Sequence, residues 1–172
     1  MGNMLYKKYV LYNDGMEIMI PSHLHMLTQE KHTVGQEARM GDRMISNYNW
    51  LSDDRRVVIN VTSGGNELSQ ENLLLRLQEY YTGFQNNVVE FECLKVTKRW
   101  INGYDYGELQ YRSEMMGYAF FNIFILGVYE GKEIILTLQC MEREKKTLLP
   151  IFMNISDSLR ILRKRDRKER KA

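Results

Sequence analysis

Hydrophobic and polar positions follow a strand-like pattern from residue 88 to residue 141. Apolar or alternating segments follow one another there, and short turn sequences such as Asn102-Gly103 separate them. Residues 118–129 are apolar on both faces, which predicts a strand at the centre of a sheet that is covered on both sides. The pattern therefore predicts a meandering, mostly antiparallel sheet.

Two hairpins are predicted before this sheet. The apolar runs 6–12 and 16–20 are joined through Asp14-Gly15, a strong hairpin signal because glycine accepts a positive φ. Residues 44–51 and 55–62 form the second pair, and the SGGN run that follows, residues 63–66, is expected to end it. Between these hairpins, residues 23–40 predict a polar loop with one short helical turn at most.

Two helices are predicted. The first is expected to begin at the N-cap Ser69 and to end at about Gln85. The second is expected over residues 146–162, with Thr147 as its N-cap, because Pro150 is tolerated only in a first turn. Their apolar stripes have helical spacing; they are Leu73, Leu77, Tyr80 or Tyr81, and Phe84 in the first helix, and Phe152, Ile155, Leu159 and Leu162 in the second.

The strand that follows the first helix carries an irregularity. Its apolar positions change face midway, which predicts a β-bulge near Cys93-Leu94. In total, the pattern predicts one α+β domain over residues 1–162, with a sheet of about 6–8 mostly antiparallel strands and helices packed on both faces. A basic tail, residues 163–172, is expected to follow as a frayed helix end.

The charge of the chain is divided unevenly between the domain and the tail. Seven of the 24 Lys and Arg residues and two of the 22 Asp and Glu residues lie in residues 163–172, which leaves the domain with 17 basic and 20 acidic residues. A solvated helix end is the favoured interpretation of the tail, and contact with an anionic surface or a nucleic acid is the alternative. Since the domain is mildly acidic, nucleic acid is not the expected partner.

The two cysteines and the N-terminus bear on the compartment. Cys93 and Cys140 both lie in strand-like segments and are expected to be buried free thiols. The first residues form no apolar leader, and no apolar run is long enough to span a bilayer. We therefore expect a cytoplasmic protein without a transmembrane segment.

The histidines are the candidate metal ligands of the chain. His23, His25 and His32 lie within ten residues, and a His-x-His pair in a strand places both rings on one face, with His32 or Glu30 as a third ligand. A polar loop is the favoured interpretation, and a metal-binding protein or small enzyme built on this loop is the alternative. No catalytic constellation is present, so neither an enzymatic activity nor a cofactor is expected.

Aromatic residues near the predicted hairpin ends are the candidate partner-binding residues. These are Trp50, Trp100, Tyr104 and Tyr106. Half-exposed aromatics of this kind anchor protein partners, and packing in the core is the alternative. The 11 methionines are compatible with core packing or with an adaptable binding surface. Together these residues favour a protein-binding function with a partner of unknown identity.

The order of elements resembles the PsbP/DcrB-like domains, which share their fold with the Ran-binding Mog protein of eukaryotes. The matching pieces are a hairpin that ends in Pro21-Ser22, a paired-strand block, one helix, the sheet 88–141, and a closing helix with Phe152, Ile155, Ser158 and Leu159. A cystatin-like or NTF-like cone is the rival fold, but it would normally place a helix before most strands.

The resemblance implies a sheet between helices and a role in binding rather than catalysis. Members of this group include photosystem accessory proteins, an envelope lipoprotein, a GTPase-release factor and cytosolic chaperones for secreted effectors. The chain shows neither the leader nor the lipidation cysteine of the lipoprotein branch, and no functional residue of the group can be carried over to it. We therefore expect a non-enzymatic protein-binding, accessory or chaperone-like module.

Overall fold

The computed structural model describes residues 4–27 and 46–162, which form an α+β fold. The helices in this part of the chain are α1 (Leu73–Asn87) and α2 (Lys145–Asp157). The strands are β1 (Tyr6–Leu11), β2 (Met16–Pro21), β3 (His25–Met26), β4 (Ser46–Leu51), β5 (Val58–Glu67), β6 (Glu92–Ile101), β7 (Tyr104–Met115), β8 (Tyr118–Tyr129), β9 (Lys132–Met141) and β10 (Arg160–Ile161).

The described strands form two antiparallel sheets. The larger has seven strands in the order β3-β4-β5-β9-β8-β7-β6, and the smaller has the order β1-β2-β10. Strand β8 lies inside the larger sheet, between β9 and β7, and its residues from Phe121 to Gly127 are all buried. The predicted central position of this strand is confirmed.

The two faces of the larger sheet have different covers. Because side chains alternate along a strand, β8 sends Phe124 and Leu126 into a cluster with Leu73 and Leu77 of α1. The same strand sends Phe121, Ile123 and Ile125 into the main core, which also holds residues of β2 and α2. Helix α1 thus covers one face, and α2 with the smaller sheet covers the other, so the predicted fold class is confirmed.

Strand β5 continues through the run at residues 63–66, which was expected to end it. Ser63 pairs with Ile134, and Glu67 pairs with Lys132, so the register shifts between these two pairs. The extra residues form a bulge, because glycine weakens a strand locally without preventing it from rejoining the ladder. The prediction of a strand end at this point is wrong.

Helix α2 differs from its prediction at both ends. It begins at Lys145 after a 3-10 turn, Glu142–Glu144, so Thr147 is not the N-cap and Pro150 lies in the second turn. It ends at Asp157, so Leu159 and Leu162 are buried beyond the helix. The chain leaves the helix there because β2 offers a free edge, to which β10 adds as a third strand.

The start of α1 also differs from its prediction, because a 3-10 turn, Gln70–Asn72, precedes Leu73 and the side chain of Ser69 makes no capping hydrogen bond. The other local predictions are mostly confirmed. The register of β6 shifts between Cys93 and Lys95, as the change of face predicts. Gly103 has a φ of 95° in the β6–β7 turn, which a residue with a side chain rarely adopts. Both cysteines are free, although only Cys140 is fully buried. The expected loop after residue 22 instead includes the two-residue strand β3.

Candidate partner-binding surface at strand β6

Strand β6 is a long free edge of the larger sheet. Among the described strands only β7 pairs with it, over ten residues from Glu92 to Ile101. An edge strand leaves half of its backbone N–H and C=O groups without ladder partners, so it can pair with another chain. The opposite edge is formed by β3, which has two residues. The two edges therefore differ greatly in the backbone they present.

Apolar side chains are exposed along β6. Trp100 is 70% exposed, Val96 is 54% exposed and Leu94 is 41% exposed. Val96 lies opposite Leu109, which packs against α1, so Val96 and Trp100 point to the face that α1 covers. Because α1 packs on β7 and β8, these side chains lie beyond its cover. An apolar strip is thus left beside the helix.

A second group of exposed apolar side chains lies at the β7–β8 turn. Met116 is 90% exposed, and Met115 and Tyr118 are each 58% exposed. Val89, which is 66% exposed, is held beside this turn because its carbonyl accepts a hydrogen bond of 3.1 Å from the amide of Glu114. We call the combined patch the β6 surface; it consists of Val89, Leu94, Val96, Trp100, Met115, Met116 and Tyr118.

The charges that β6 presents to solvent are mainly basic. Lys95 and Lys98 are exposed, and the Nζ atom of Lys98 lies 3.3 Å from the Oδ2 atom of Asp105. An exposed ion pair of this kind contributes little to stability, so Lys98 can exchange its partner. Glu92 is the exposed acidic residue at the start of the strand. Basic side chains therefore lie among the exposed apolar residues of β6.

The opposite face of β6 is fixed to the core. The Nη1 atom of Arg99 donates hydrogen bonds to Glu108, at 2.7 Å, and to Ser156, at 2.9 Å, while Nη2 pairs with Asp157. Just beyond the strand, the side chain of Asn102 donates to the carbonyl of Asp157, the last residue of α2, at 3.0 Å and to that of Leu159 at 2.8 Å. These bonds hold the strand in place, so a partner would meet a preformed edge.

The four aromatic residues proposed from the sequence do not form one surface. Trp50 is fully buried with its ring 5.3 Å from that of Tyr9, and Tyr106 is 1% exposed, so the prediction of surface anchors is wrong for Trp50 and Tyr106. Tyr104 is half-buried against the main core, and Trp100 is exposed. Proximity to a turn does not specify which face of the sheet another layer covers, which is why the sequence could not separate them.

The histidine loop lies only partly within the described chain. The Nε2 atom of His25 lies 2.6 Å from the Oδ1 atom of Asp53, and both side chains are exposed. Residues 4–27 and 46–162 contain no group of three or more His, Cys, Asp or Glu side chains that could hold a metal ion. His32 lies outside these ranges, as does the tail 163–172, so the sites proposed on them stay predictions.

The acidic and basic pairs at residues 53–56 belong to the turn between β4 and β5. The side chain of Asp54 accepts hydrogen bonds from the Ser52 hydroxyl, at 2.6 Å, and from the Arg56 amide, at 3.0 Å. These two bonds, the hydroxyl first, lower the pKa of Asp54 below its ordinary value. The cluster is explained by turn geometry.

A groove of about 470 Å³ runs along the other side of α1. Beside it, the buried carboxylate of Glu133 accepts hydrogen bonds from Arg76 at 2.6 Å and from the Tyr80 hydroxyl at 2.8 Å. Burial and the bond to Glu133 raise the pKa of Tyr80. Because the polar groups bind one another, we interpret this cluster as an attachment of α1 to β9 rather than as a ligand site.

Sequence reasoning missed most of the β6 surface. The sequence pattern uses Leu94 and Val96 only as evidence for a bulge, and it places Met115 and Tyr118 in predicted strands with Met116 between them. A usable signal was present, because apolar residues out of phase with the buried face of a strand must point towards solvent or a partner.

The fold is shared with known structures, although the sequence matches no protein-family model and no curated protein. The solution structure of the PsbP protein CyanoP from Synechocystis sp. PCC 6803 matches with a TM-score of 0.64 at 14% identity, over 94% of this chain and 95% of that one. The Ran-binding protein Mog1p of Saccharomyces cerevisiae matches with a TM-score of 0.52 at 9% identity, over 92% and 96%.

A third structure of this kind is the immunity protein TplEi of the T6SS from Pseudomonas aeruginosa. Its TM-score is 0.51 at 14% identity, over 93% of this chain and 77% of that one. These structural matches show a common arrangement of strands and helices. The sequence identities are too low to transfer any binding residue. Within the described residues, neither helix is long and apolar enough to cross a membrane.

Proposed function

Since the chain has the fold that PsbP, Mog1p and the DcrB-like proteins share, we propose that it is a non-enzymatic protein-binding module whose binding site is the β6 surface. The observation that carries this proposal is the exposure of Trp100, at 70%, on a ten-residue free edge strand of the described sheet. The strand is fixed from behind through Arg99, so its outer face is preorganised.

The composition of the β6 surface supports a protein partner. Tryptophan is among the residues that contribute most to protein–protein binding, and methionine adapts its shape to different partners. Exposed apolar side chains with polar neighbours are typical of an interaction site. Lys95 and Lys98 are such polar neighbours on β6. The name of Mog1p describes binding to Ran, which shows that this fold can serve a binding function.

The proposal is tested by affinity capture followed by reconstitution. The full chain is used as bait under native conditions, recovered proteins are identified by mass spectrometry, and each candidate is purified and titrated by calorimetry. Trp100→Ala is expected to weaken binding by about 30-fold, because truncating a tryptophan anchor costs about 2 kcal/mol. Val10→Ser on β1, where Val10 is 42% exposed, is the control and is expected to change binding less than about two-fold.

Two results would contradict the proposal. One is the recovery of no stoichiometric partner. The other is a purified partner that binds the Trp100→Ala variant as tightly as the original chain, which would place the site elsewhere on the surface.

The other functions expected from the sequence keep the status of predictions. A metal-dependent function needs a third ligand beside His23 and His25, and the two candidates, His32 and Glu30, are both outside the described residues. Contact with an anionic surface needs the tail 163–172, which is also outside them. A cytoplasmic location is likewise a prediction, because it derives from the N-terminal sequence.

A further inference from the structure

Strand β6 presents backbone N–H and C=O groups as well as side chains to a possible partner. Within residues 4–27 and 46–162, no strand pairs with β6 on the side away from β7. Lysines on an edge normally discourage pairing with other chains. In β6, however, Lys95 and Lys98 alternate with the exposed apolar residues Val96 and Trp100. The lysines disfavour pairing with a basic strand, and the apolar residues favour pairing with an apolar one. A partner strand must therefore match both features.

A second copy of this chain is a poor partner for the strand. Residues directly opposite each other in a sheet share a face, so antiparallel pairing over the regular part of β6, which begins at Lys95, places Val96 opposite itself, Lys98 or Trp100. Val96 opposite Trp100 brings two copies of Lys98 together, and Val96 opposite Lys98 brings Lys95 against Arg99. Like charges directly opposite each other are destabilising.

The remaining register of two copies is also unfavourable. With Val96 opposite its own copy, Lys98 of one chain meets the bulge between Cys93 and Lys95 of the other, where the ladder is irregular. A partner with acidic residues at the facing positions has none of these conflicts.

We propose that β6 binds an extended segment of a partner protein as an added strand, and that this segment alternates apolar with acidic residues. The inference rests on the proposed function and specifies the chemistry of its partner. On the face shared with α1, apolar residues lie opposite Val96 and Trp100, and an acidic residue lies opposite Lys98. On the other face, a second acidic residue lies opposite Lys95.

A designed peptide provides the probe. Written for antiparallel addition from Trp100 towards Lys95, its core is Val-Thr-Glu-Thr-Val-Glu, and the reversed core serves for parallel addition. Each core carries a serine at both ends. The full chain, labelled with ¹⁵N, is titrated with each peptide to millimolar concentration and followed by NMR. Saturable shifts are expected in the amides of β6, together with slower hydrogen exchange there.

Charge reversal tests the acidic part of the inference. Replacing both Glu residues of the peptide by Lys is expected to weaken binding by about ten-fold or more. The double variant Lys95→Glu, Lys98→Glu is expected to show the reverse preference. A preference that does not change between the two proteins, or equal binding of both peptides, would overturn the inference.

N-methylation tests the backbone part. The N–H groups of alternate residues of a strand point to the same edge, so two peptides are made, each methylated on one alternate set. One set is expected to abolish binding and the other to leave it nearly unchanged. If both methylated peptides bind like the parent, strand addition is refuted, while the proposed function survives as binding through side chains.

Two further results would overturn the inference. One is the absence of any shift in β6 with either peptide orientation. The other is concentration-dependent dimerisation of the chain that Trp100→Ala abolishes, since the occupant would then be a second copy. Failure of the proposed function is recognised separately: a purified partner then binds the Trp100→Ala variant as tightly as the original chain.

Discussion

The two tryptophans of this chain lie near opposite edges of the same sheet and have opposite environments. Trp50 is on β4, one strand from the β3 edge, and is fully buried beneath Tyr9 of the smaller sheet. Trp100 is on β6, at the other edge, and is 70% exposed. The smaller sheet extends over the strand that carries Trp50, whereas α1 stops short of the strand that carries Trp100. The covering layer therefore decides the role of each ring.

The same contrast appears within β6 itself. Arg99 and Trp100 are neighbours in sequence, and alternation sends them to opposite faces. The charged side chain is 16% exposed and bound to Glu108, while the aromatic side chain lies in solvent. This arrangement inverts the usual preference, because the charged group is largely buried and the apolar ring is exposed.

The largest expected effect compares the two tryptophans directly. Trp50→Ala is expected to lower the free energy of unfolding by about 3–5 kcal/mol, because it leaves a cavity in the main core. Trp100→Ala is expected to change it by no more than about 0.5 kcal/mol. Urea denaturation followed by circular dichroism measures both values. Similar losses would show that the two rings have equivalent environments, contrary to the structure.

The next effect concerns the neighbours on β6. Arg99→Met is expected to lower the free energy of unfolding by about 3 kcal/mol, because it leaves the carboxylate of Glu108, which is 0% exposed, without its cation. Lys98→Met, one residue earlier and exposed, is the control and is expected to cost no more than about 0.5 kcal/mol. Equal costs in urea denaturation would contradict the inward orientation of Arg99.

Tyr106 packs closely on Gly127 of β8, so adding one methyl group at Gly127 tests this packing. A Cβ atom at Gly127 would lie 2.4 Å from the ring of Tyr106, so Gly127→Ala is expected to destabilise the fold by about 1–3 kcal/mol. Gly83→Ala in α1, where nothing lies within 4 Å, is expected to stabilise it by about 0.5–1 kcal/mol. Thermal denaturation of both variants shows whether their signs differ; the same sign would contradict this packing.

The hydroxyl of Tyr106 gives a smaller effect with a defined pH dependence. It is buried and has no hydrogen-bond partner among the described residues, so Tyr106→Phe is expected to stabilise the fold by about 1 kcal/mol at neutral pH. Burial raises the pKa of Tyr106 above the ordinary value of 10. Above pH 10 the unfolded chain therefore releases a proton that the folded chain retains, and stability falls with rising pH.

Urea titrations at neutral and alkaline pH are expected to show a smaller alkaline loss of stability for Tyr106→Phe than for the original chain. A loss of stability in the variant at neutral pH would mean that the hydroxyl has a bonding partner.

The smallest expected effect is a difference in reactivity between the two cysteine thiols, which involves no change in stability. Burial raises the pKa of Cys140 to about 12, whereas Cys93 is partly exposed at the bulge of β6. At pH 8 a thiol reagent such as DTNB is expected to modify Cys93 alone in the folded chain and both cysteines after unfolding. A folded Cys93→Ser variant that still reacts would contradict this difference.

Local patterns were sufficient for much of the fold. The β6–β7 turn at Asn102-Gly103, the bulge at Cys93 and the stripe of α1 were all predictable, because each depends on residues a few positions apart. The prediction was wrong at residues 63–66, where a strand distant in sequence decided, and at Pro150, where the adjoining turn decided. Strand β9 holds the end of β5 in the sheet, and the preceding 3-10 turn places Pro150 in the second turn of α2.

The sequence by itself determined the alternation of strands and the buried centre of β8, because side-chain direction repeats every two residues wherever the sheet is placed. Only the tertiary structure decided which strand became the free edge and which tryptophan was covered. The first outcome depends on the order in which the strands pair, and the second depends on the positions of α1 and the smaller sheet; residues distant in sequence establish both. The candidate binding surface therefore becomes visible only when the covering layers are in place.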